Sequence, residues 1–423
     1  MDTRFGQYSR KLGALARAAL ALCFSAVCMP ELASAGDVAQ AAADGTLWTQ
    51  STQEISDGVL KEVRFRIVDG TTVRMRRGAQ LQFAGLRTGD VLLQLSEDRS
   101  HAQMLNTTVY NKGDDGELSK ADFEKLLSDS VEKLTALLQT EPKQHKTSAK
   151  ETAVRLRAWE WENDHCAALL EASSTGSGKK YVAEFIRLTI APEKSALERG
   201  GADDAAKRSE LRGNVQHHDD GSVWIKGIPM VDQGEKGYCV PASLSRVFAY
   251  YGMDAVDQHS LAALCKSSEN GTTLEAMEKS LRSISAKFHV SVVPMEWLSQ
   301  KMLMKELPRL AQKKHMSPSD LQPKHLLELL KGKPAVVRKG MKDIKKYVDA
   351  GIPVVWAVML GMFPEQGLPQ SMGGHMRLII GYNEQKQAIL YTDSWGAGHE
   401  MKAMPVDRAC AITQALYVLR PKR

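Results

Sequence analysis

At 423 residues the chain is long enough for two or three ordinary domains, and 43% hydrophobic with 25% charged residues excludes the disordered and fibrous classes. The formal charge of +6 includes four basic and two acidic residues within the first 35, so the remainder sits near +4, a balance too mild to argue for a nucleic-acid partner. Arg4, Arg10, Lys11 and Arg17 precede an apolar stretch from Ala18 to Met29, and Ala33-Ser34-Ala35 then offers small residues at both recognition positions of a cleavage site. Residues 1–35 are therefore expected to be a secretory signal peptide and the protein secreted or periplasmic. The apolar run falls well short of the ~20 residues a membrane span needs, and no integral membrane segment is expected once the signal is removed.

Cys23 and Cys28 leave with that signal, and neither follows the small residue that lipid attachment wants, since Leu22 and Val27 stand there. Cys166, Cys239, Cys265 and Cys410 remain, too few for a disulfide scaffold. An unpaired thiol that survives export hints at reactivity.

Residues 36–192 read as an α+β accessory domain. In VRFRIVDGTTVRM, from Val63, Asp69-Gly70 between two β-prone runs signals a two-residue hairpin. VLLQL from Val91 is a further strand. From Glu117, Phe123, Leu126, Leu127, Val131, Leu134 and Leu138 recur at helical spacing with Ser119 placed to cap. LRAWEWEN, CAALLEAS and KKYVAEFIRLTIA add strands. The loop from Asn111 to Asp122 has a superficial likeness to a calcium loop, but Gly113 stands at its third position and no helix precedes it, so a loop and helix cap are expected. No catalytic constellation is visible in this domain.

Residues 193–220, with Gly200-Gly201 and a high charge density, read as a linker, and His217-His218-Asp219-Asp220 as a solvated run, because adjacent imidazoles do not easily face one ion. No metal and no cofactor is expected. From residue 221 to 423 the pattern changes. After Cys239, Val240, Leu244, Val247, Phe248 and Tyr251 recur at helical spacing, with Pro241 in a first turn and Gly252 just past the end, so Cys239 opens a helix. Thr272 and Glu275 suggest a capping box for a second helix. Residues 301–350 form a helical-looking insert with thirteen Lys or Arg against five Asp or Glu. Four apolar runs, from residues 352, 375, 388 and 415, then read as an antiparallel sheet.

A thiol at a helix N-terminus has free backbone N–H groups and the helix dipole to stabilise its anion. Attack on a carbonyl develops an oxyanion that needs donors already aimed at it. Gln233, six residues before Cys239, offers a side-chain N–H, and Gly234 and Gly237 let the intervening loop turn. His375 opens one of the sheet's strands and Asp393 ends another. If those strands are neighbours, Asp393 accepts from the ring and fixes its tautomer. His399, in the loop beyond, is a rival base without a rigid mount.

QGEKGYCVPAS, GGHMRLIIGY and TDSWG, in that order, resemble the papain-like cysteine peptidases, in the bacterial branch related to bacteriocin double-glycine leader peptidases, family thirty-nine of the cysteine peptidases. The resemblance covers residues 221–420. It implies an α+β fold with a helical Cys lobe and an antiparallel sheet carrying His and Asp. It also implies Cys239 as nucleophile, His375 as base, Asp393 as orienter, Gln233 as oxyanion partner and Trp395 as a shield over the His/Asp pair. Asp393 stands where papain has Asn, and Tyr238 replaces the residue papain has before its Cys. The long basic insert and the absence of a fused transporter from this sequence depart from the leader-peptidase pattern, so a leader-peptide substrate is not carried over as an expectation. The expected activity is exported thiol hydrolysis of a peptide or protein substrate. A non-catalytic peptide-binding module and a transamidase or isopeptidase using the same residues are the alternatives, and oligomeric state is left open.

Overall fold

The computed structural model describes residues 37–61, 63, 65–75, 83–147, 154–198, 206–234, 237–268, 271–298, 300–368 and 372–422. The expected signal peptide lies outside them. Two eight-stranded antiparallel sheets, each with helices against it, make the chain α+β.

The first sheet runs β1(Phe65–Ile67), β2(Thr72–Met75), β3(Val91–Leu95), β4(Ala102–Asn111), then β8(Val182–Ala191), β7(Ala167–Thr175), β6(Leu156–Glu162) and β5(Lys143–Thr147). The turn between β1 and β2 is wider than the Asp69-Gly70 pair. The Asp69 carboxylate accepts from the backbone N–H groups of Thr71 and Thr72, an Asx turn that competes with the tight hairpin. Helix α1(Lys120–Leu138) is capped by Ser119, whose hydroxyl accepts from the Asp122 N–H at 3.1 Å. Its stripe of Phe123, Leu127, Leu134 and Leu138 is buried against the sheet.

The second sheet takes the path β11(Val290–Met295), β16(Thr413–Pro421), β12(Val354–Leu360), β13(Gly373–Asn383), β10(Ser222–Ile225), β9(Val215–His217), with β14(Ala388–Thr392) paired to β13 and β15(Lys402–Pro405) to β14. The stretch expected as a linker thus supplies an edge strand: Val215, Gln216 and His217 pair with Ile225, Trp224 and Val223. Among the described residues no cluster of His, Cys, Asp or Glu could hold a metal ion. Likewise, no described helix is long and apolar enough to cross a membrane.

Helix α2(Cys239–Tyr250) buries Val240, Leu244, Val247 and Phe248 in the core shared with this sheet. After it come α3(Gln258–Cys265) and α4(Leu274–Lys287). The cap of α4 is Thr273, not Thr272: Thr273 accepts from the Ala276 N–H, while Thr272 exchanges a hydrogen bond with Ser267. The basic insert forms α5(Gln300–Lys313), α6(Pro323–Lys331) and α7(Pro334–Val348). Each turns its charges outward and its apolar stripe inward, so the excess of lysine is a solvated surface.

Candidate active site

Helix α2 and strand β13 are tied together where the chemistry lies, since Ser243, one turn beyond Cys239, donates to the Met376 carbonyl at 3.3 Å. Cys239 is the first residue of α2 and partly exposed, with its thiol hydrogen-bonded to His375. Burial pushes that thiol's pKa up, but the hydrogen bond and charge of His375, with the backbone N–H groups of Met376 and Val240, outweigh it and hold the pKa below the ordinary thiol value. The other three cysteines behave in the opposite way. They are free and buried, and burial lifts Cys166 to about 11 and both Cys265 and Cys410 to about 12.

Strands β13 and β14 are antiparallel neighbours, with Leu378 opposite Thr392 and Ile379 opposite Tyr391. The residue after Thr392 is Asp393, which therefore reaches back along β13 toward His375. The His375 Nε2 lies 2.5 Å from Asp393 Oδ1, both side chains being buried. With Nε2 taken, Nδ1 is the nitrogen left for the thiol. Burial lowers the His375 pKa, but the hydrogen bonds and charges of Asp393 and Cys239 outweigh this and raise it to about 9. Asp393 is held below the usual carboxylate range, since the hydrogen bond and charge of His375 and the charges of Arg377 and His399 overcome its burial.

Two arginines that the sequence reading did not single out hold Asp393. Arg377, two residues along β13 from His375 and fully buried, places Nε 3.1 Å from Asp393 Oδ2 as an ion pair whose N–H axis is not aimed along the line of a hydrogen bond. It also pairs with Glu365 at 3.1 Å and stacks over Tyr391. Arg246, seven residues after Cys239 on α2, donates to the Asp393 carbonyl at 2.6 Å, to Thr392 Oγ1 at 2.6 Å and to the Pro229 carbonyl at 2.8 Å. One guanidinium thus joins the Cys helix, the Asp strand and the start of the loop that carries Gln233.

Gln233 is 7% exposed and clamped at two points by the residue after Asp393. Its backbone N–H donates to the Ser394 carbonyl at 2.8 Å, and its Oε1 accepts from the Ser394 hydroxyl at 2.7 Å. Ser394 is a further residue that sequence reasoning passed over. Trp395 stacks on His375 with ring centroids 4.2 Å apart and planes at 10°. His399 meets Trp395 edge-on at 5.6 Å, and its backbone carbonyl accepts from Asp393 N–H and the Thr392 hydroxyl. The structure therefore brings Gln233, Cys239, His375 and Asp393 together and leaves the His399 ring outside the thiol's hydrogen bond.

A thiol at a helix N-terminus, an imidazole bonded to it, a carboxylate behind that imidazole and a clamped amide define the papain-like class of thiol sites. Residues 225–417 match the family model described as Peptidase_C39 like family. A solved structure, xylellain, a cysteine protease from Xylella fastidiosa, is similar over 52% of this chain and 90% of its own, at 11% identity and a TM-score of 0.27. No curated protein matches the chain.

Proposed function

We propose that this is an exported thiol peptidase that hydrolyses peptide bonds through an acyl-enzyme on Cys239. The observation that carries the reading is the continuous chain of contacts from Cys239 to His375 to Asp393, with the thiol pKa lowered and the imidazole pKa raised. Such opposed shifts favour a thiolate–imidazolium pair at neutral pH. The thiolate adds to the scissile carbonyl carbon, and the resulting oxyanion is met by the Gln233 amide and the Cys239 backbone N–H. Collapse breaks the C–N bond, His375 gives its proton to the departing amine, and a thioester remains. Water, losing a proton to His375, then releases the carboxylic acid and regenerates the thiol. Asp393 keeps the ring oriented and balances its charge throughout. The basic-then-apolar first 35 residues support export.

The test is hydrolysis of a casein-derived peptide mixture, with intact-mass detection of the acyl-enzyme. Wild-type protein should form the adduct and turn over, and Cys239→Ala should do neither. A wild-type protein whose Cys239 alkylates rapidly yet yields no adduct and no cleavage with any peptide would instead be a binding module.

A further inference from the structure

The loop that carries Gln233 is held in place by the first sheet. Asp232, whose side chain is fully buried, precedes Gln233, and a buried carboxylate costs several kcal/mol unless it is paired. Its charge partners come from β1 and β2. Arg66 Nη2 lies 2.5 Å from Asp232 Oδ2, Arg74 Nε lies 3.6 Å from the same oxygen, and Arg74 Nη2 donates to the Asp232 backbone carbonyl at 2.7 Å. Arg74 is itself fixed by Asp90 at 2.9 Å, so two guanidiniums meet two carboxylates. The other Asp232 oxygen accepts from the Gly234 N–H at 2.9 Å, which closes the turn around Gln233. Gly234 has φ +75°, and a Cβ there would stand 2.6 Å from Arg74 Nη1, so the guanidinium lies directly against the glycine's backbone.

A second strut reaches the residue that presents the nucleophile. Asn111, at the end of β4, accepts from the Tyr238 hydroxyl at 2.8 Å, and its Nδ2 lies 2.7 Å from His259 Nδ1. Tyr238 is the N-cap of α2, immediately before Cys239. Gly113 leaves room for that phenol, since a Cβ there would fall 2.6 Å from its oxygen.

We infer that Arg74, with Arg66, is a positioning residue for the oxyanion amide, acting through Asp232, so that the first sheet is a working part of the active site. The inference rests on the peptidase reading only for the role of Gln233. The structural linkage is independent of whether the acyl-enzyme goes to water.

The test uses the full chain and two probes. A peptide aldehyde adds the Cys239 thiolate to its carbonyl and draws on the oxyanion donors without needing turnover, whereas iodoacetamide alkylates the thiolate and develops no oxyanion. Arg74→Met should weaken aldehyde binding by about 10- to 100-fold, with the pH profile of Cys239 alkylation unchanged, the same split expected of Gln233→Ala. Combined with Gln233→Ala it should cost little more than Gln233→Ala alone, because both act on one donor. Should Arg74→Met fold poorly, Arg74→Met with Asp232→Asn removes the buried charge together with its partner and is held to the same split. Wild-type aldehyde affinity in a folded Arg74 variant would overturn the inference, as would losses that multiply with Gln233→Ala or alkylation that falls in step with affinity. A protein that binds the aldehyde in this pattern but cleaves no peptide would sink the peptidase reading and leave the positioning role standing.

Discussion

Ser394 donates its hydroxyl to Gln233 Oε1 at 2.7 Å, so the amide is turned with its carbonyl toward Ser394 and its Nε2 end away from it. That one bond decides which end of a nearly symmetric side chain an oxyanion would meet. Gln233→Ala should lower turnover by about 100-fold or more, the loss expected for one oxyanion donor. Ser394→Ala keeps the amide but loosens its orientation, a loss on the order of 1 kcal/mol, and should lower kcat by about 5-fold with iodoacetamide reactivity intact. Steady-state kinetics on a fluorogenic peptide, beside the alkylation rate, separate the two. A Ser394→Ala enzyme as impaired as Gln233→Ala would mean that the hydroxyl does more than orient.

Selective alkylation follows from the four thiols. With Cys166 lifted to about 11 and Cys265 and Cys410 to about 12, their thiolate fractions at pH 6 are on the order of one in 10⁵ or less, while Cys239 has its pKa lowered. Mass-spectrometric mapping after brief iodoacetamide treatment at pH 6 should find Cys239 modified at least 100-fold faster than the others. Even labelling of all four would remove Cys239 from the nucleophile's place.

The pH dependence carries a sign that can be worked out. Turnover needs both thiolate and imidazolium. It should rise as pH passes through the lowered thiol pKa and fall as His375 loses its proton near pH 9. Alkylation needs only the thiolate and should show no basic fall. Stability follows the same shift. The folded pKa of His375 lies above its unfolded value of about 6.5, so its contribution is complete below that pH and is lost as pH rises through about 9. Asp393 works at the other end. Its folded pKa lies below the unfolded value, so its contribution is present above about 3.9 and is lost as pH falls through the lower folded value. Melting temperatures of wild type and His375→Gln should converge above pH 9, and a wild-type basic limb already complete by pH 7 would contradict the raised imidazole.

Arg246 is the residue whose loss should be felt most in stability. It is 1% exposed, and burial brings its pKa down to about 10 despite the charges of Asp393 and Glu400. Arg246→Met would leave the carbonyls of Pro229 and Asp393 and the Thr392 hydroxyl without their donor. At about 1.5 kcal/mol for each of the three bonds to a charged group, the cost should be about 4.5 kcal/mol, or a melting point lower by roughly 5 to 10 °C by calorimetry. A drop of only one or two degrees would show that another group replaces the guanidinium.

How far the site could be read from sequence depended on whether a residue's partner lies nearby in the chain. Cys239, the helix it opens and the glutamine six residues before it have a local signature. His375 and Asp393 could be paired because their strands are close in sequence and the hydrophobic runs fix where each begins. Arg246 left a faint mark as a charged residue among Val240, Leu244, Val247 and Phe248, which a solvated helix would not place there. Arg74, Arg66 and Asn111 left none, because the partners of Arg66 and Arg74 in the Gln233 loop lie about 160 residues away and a β-strand arginine looks the same whether it faces water or a buried aspartate. The same holds for the edge strand β9, whose three residues are too few for a period to appear.

Asp393→Asn with His399→Ala tests which imidazole is the base. An amide at 393 can still accept from His375 Nε2, so orientation survives, but the ring loses the carboxylate that helps lift its pKa to about 9, and Arg377 is left facing a neutral group. Turnover should fall by about 10- to 100-fold without vanishing, and the basic limb should move to lower pH. His399 touches Trp395 edge-on, and its backbone carbonyl, which alanine keeps, makes the bonds to Asp393 and Thr392, so His399→Ala should stay within about 3-fold of wild type. His375→Ala should be nearly as inactive as Cys239→Ala. With folding verified by circular dichroism, kcat against pH for the four variants decides the matter. If His399→Ala were as dead as Cys239→Ala while His375→Ala kept measurable turnover, the base would lie in the loop after β14, and the contact of His375 with Asp393 would be structural.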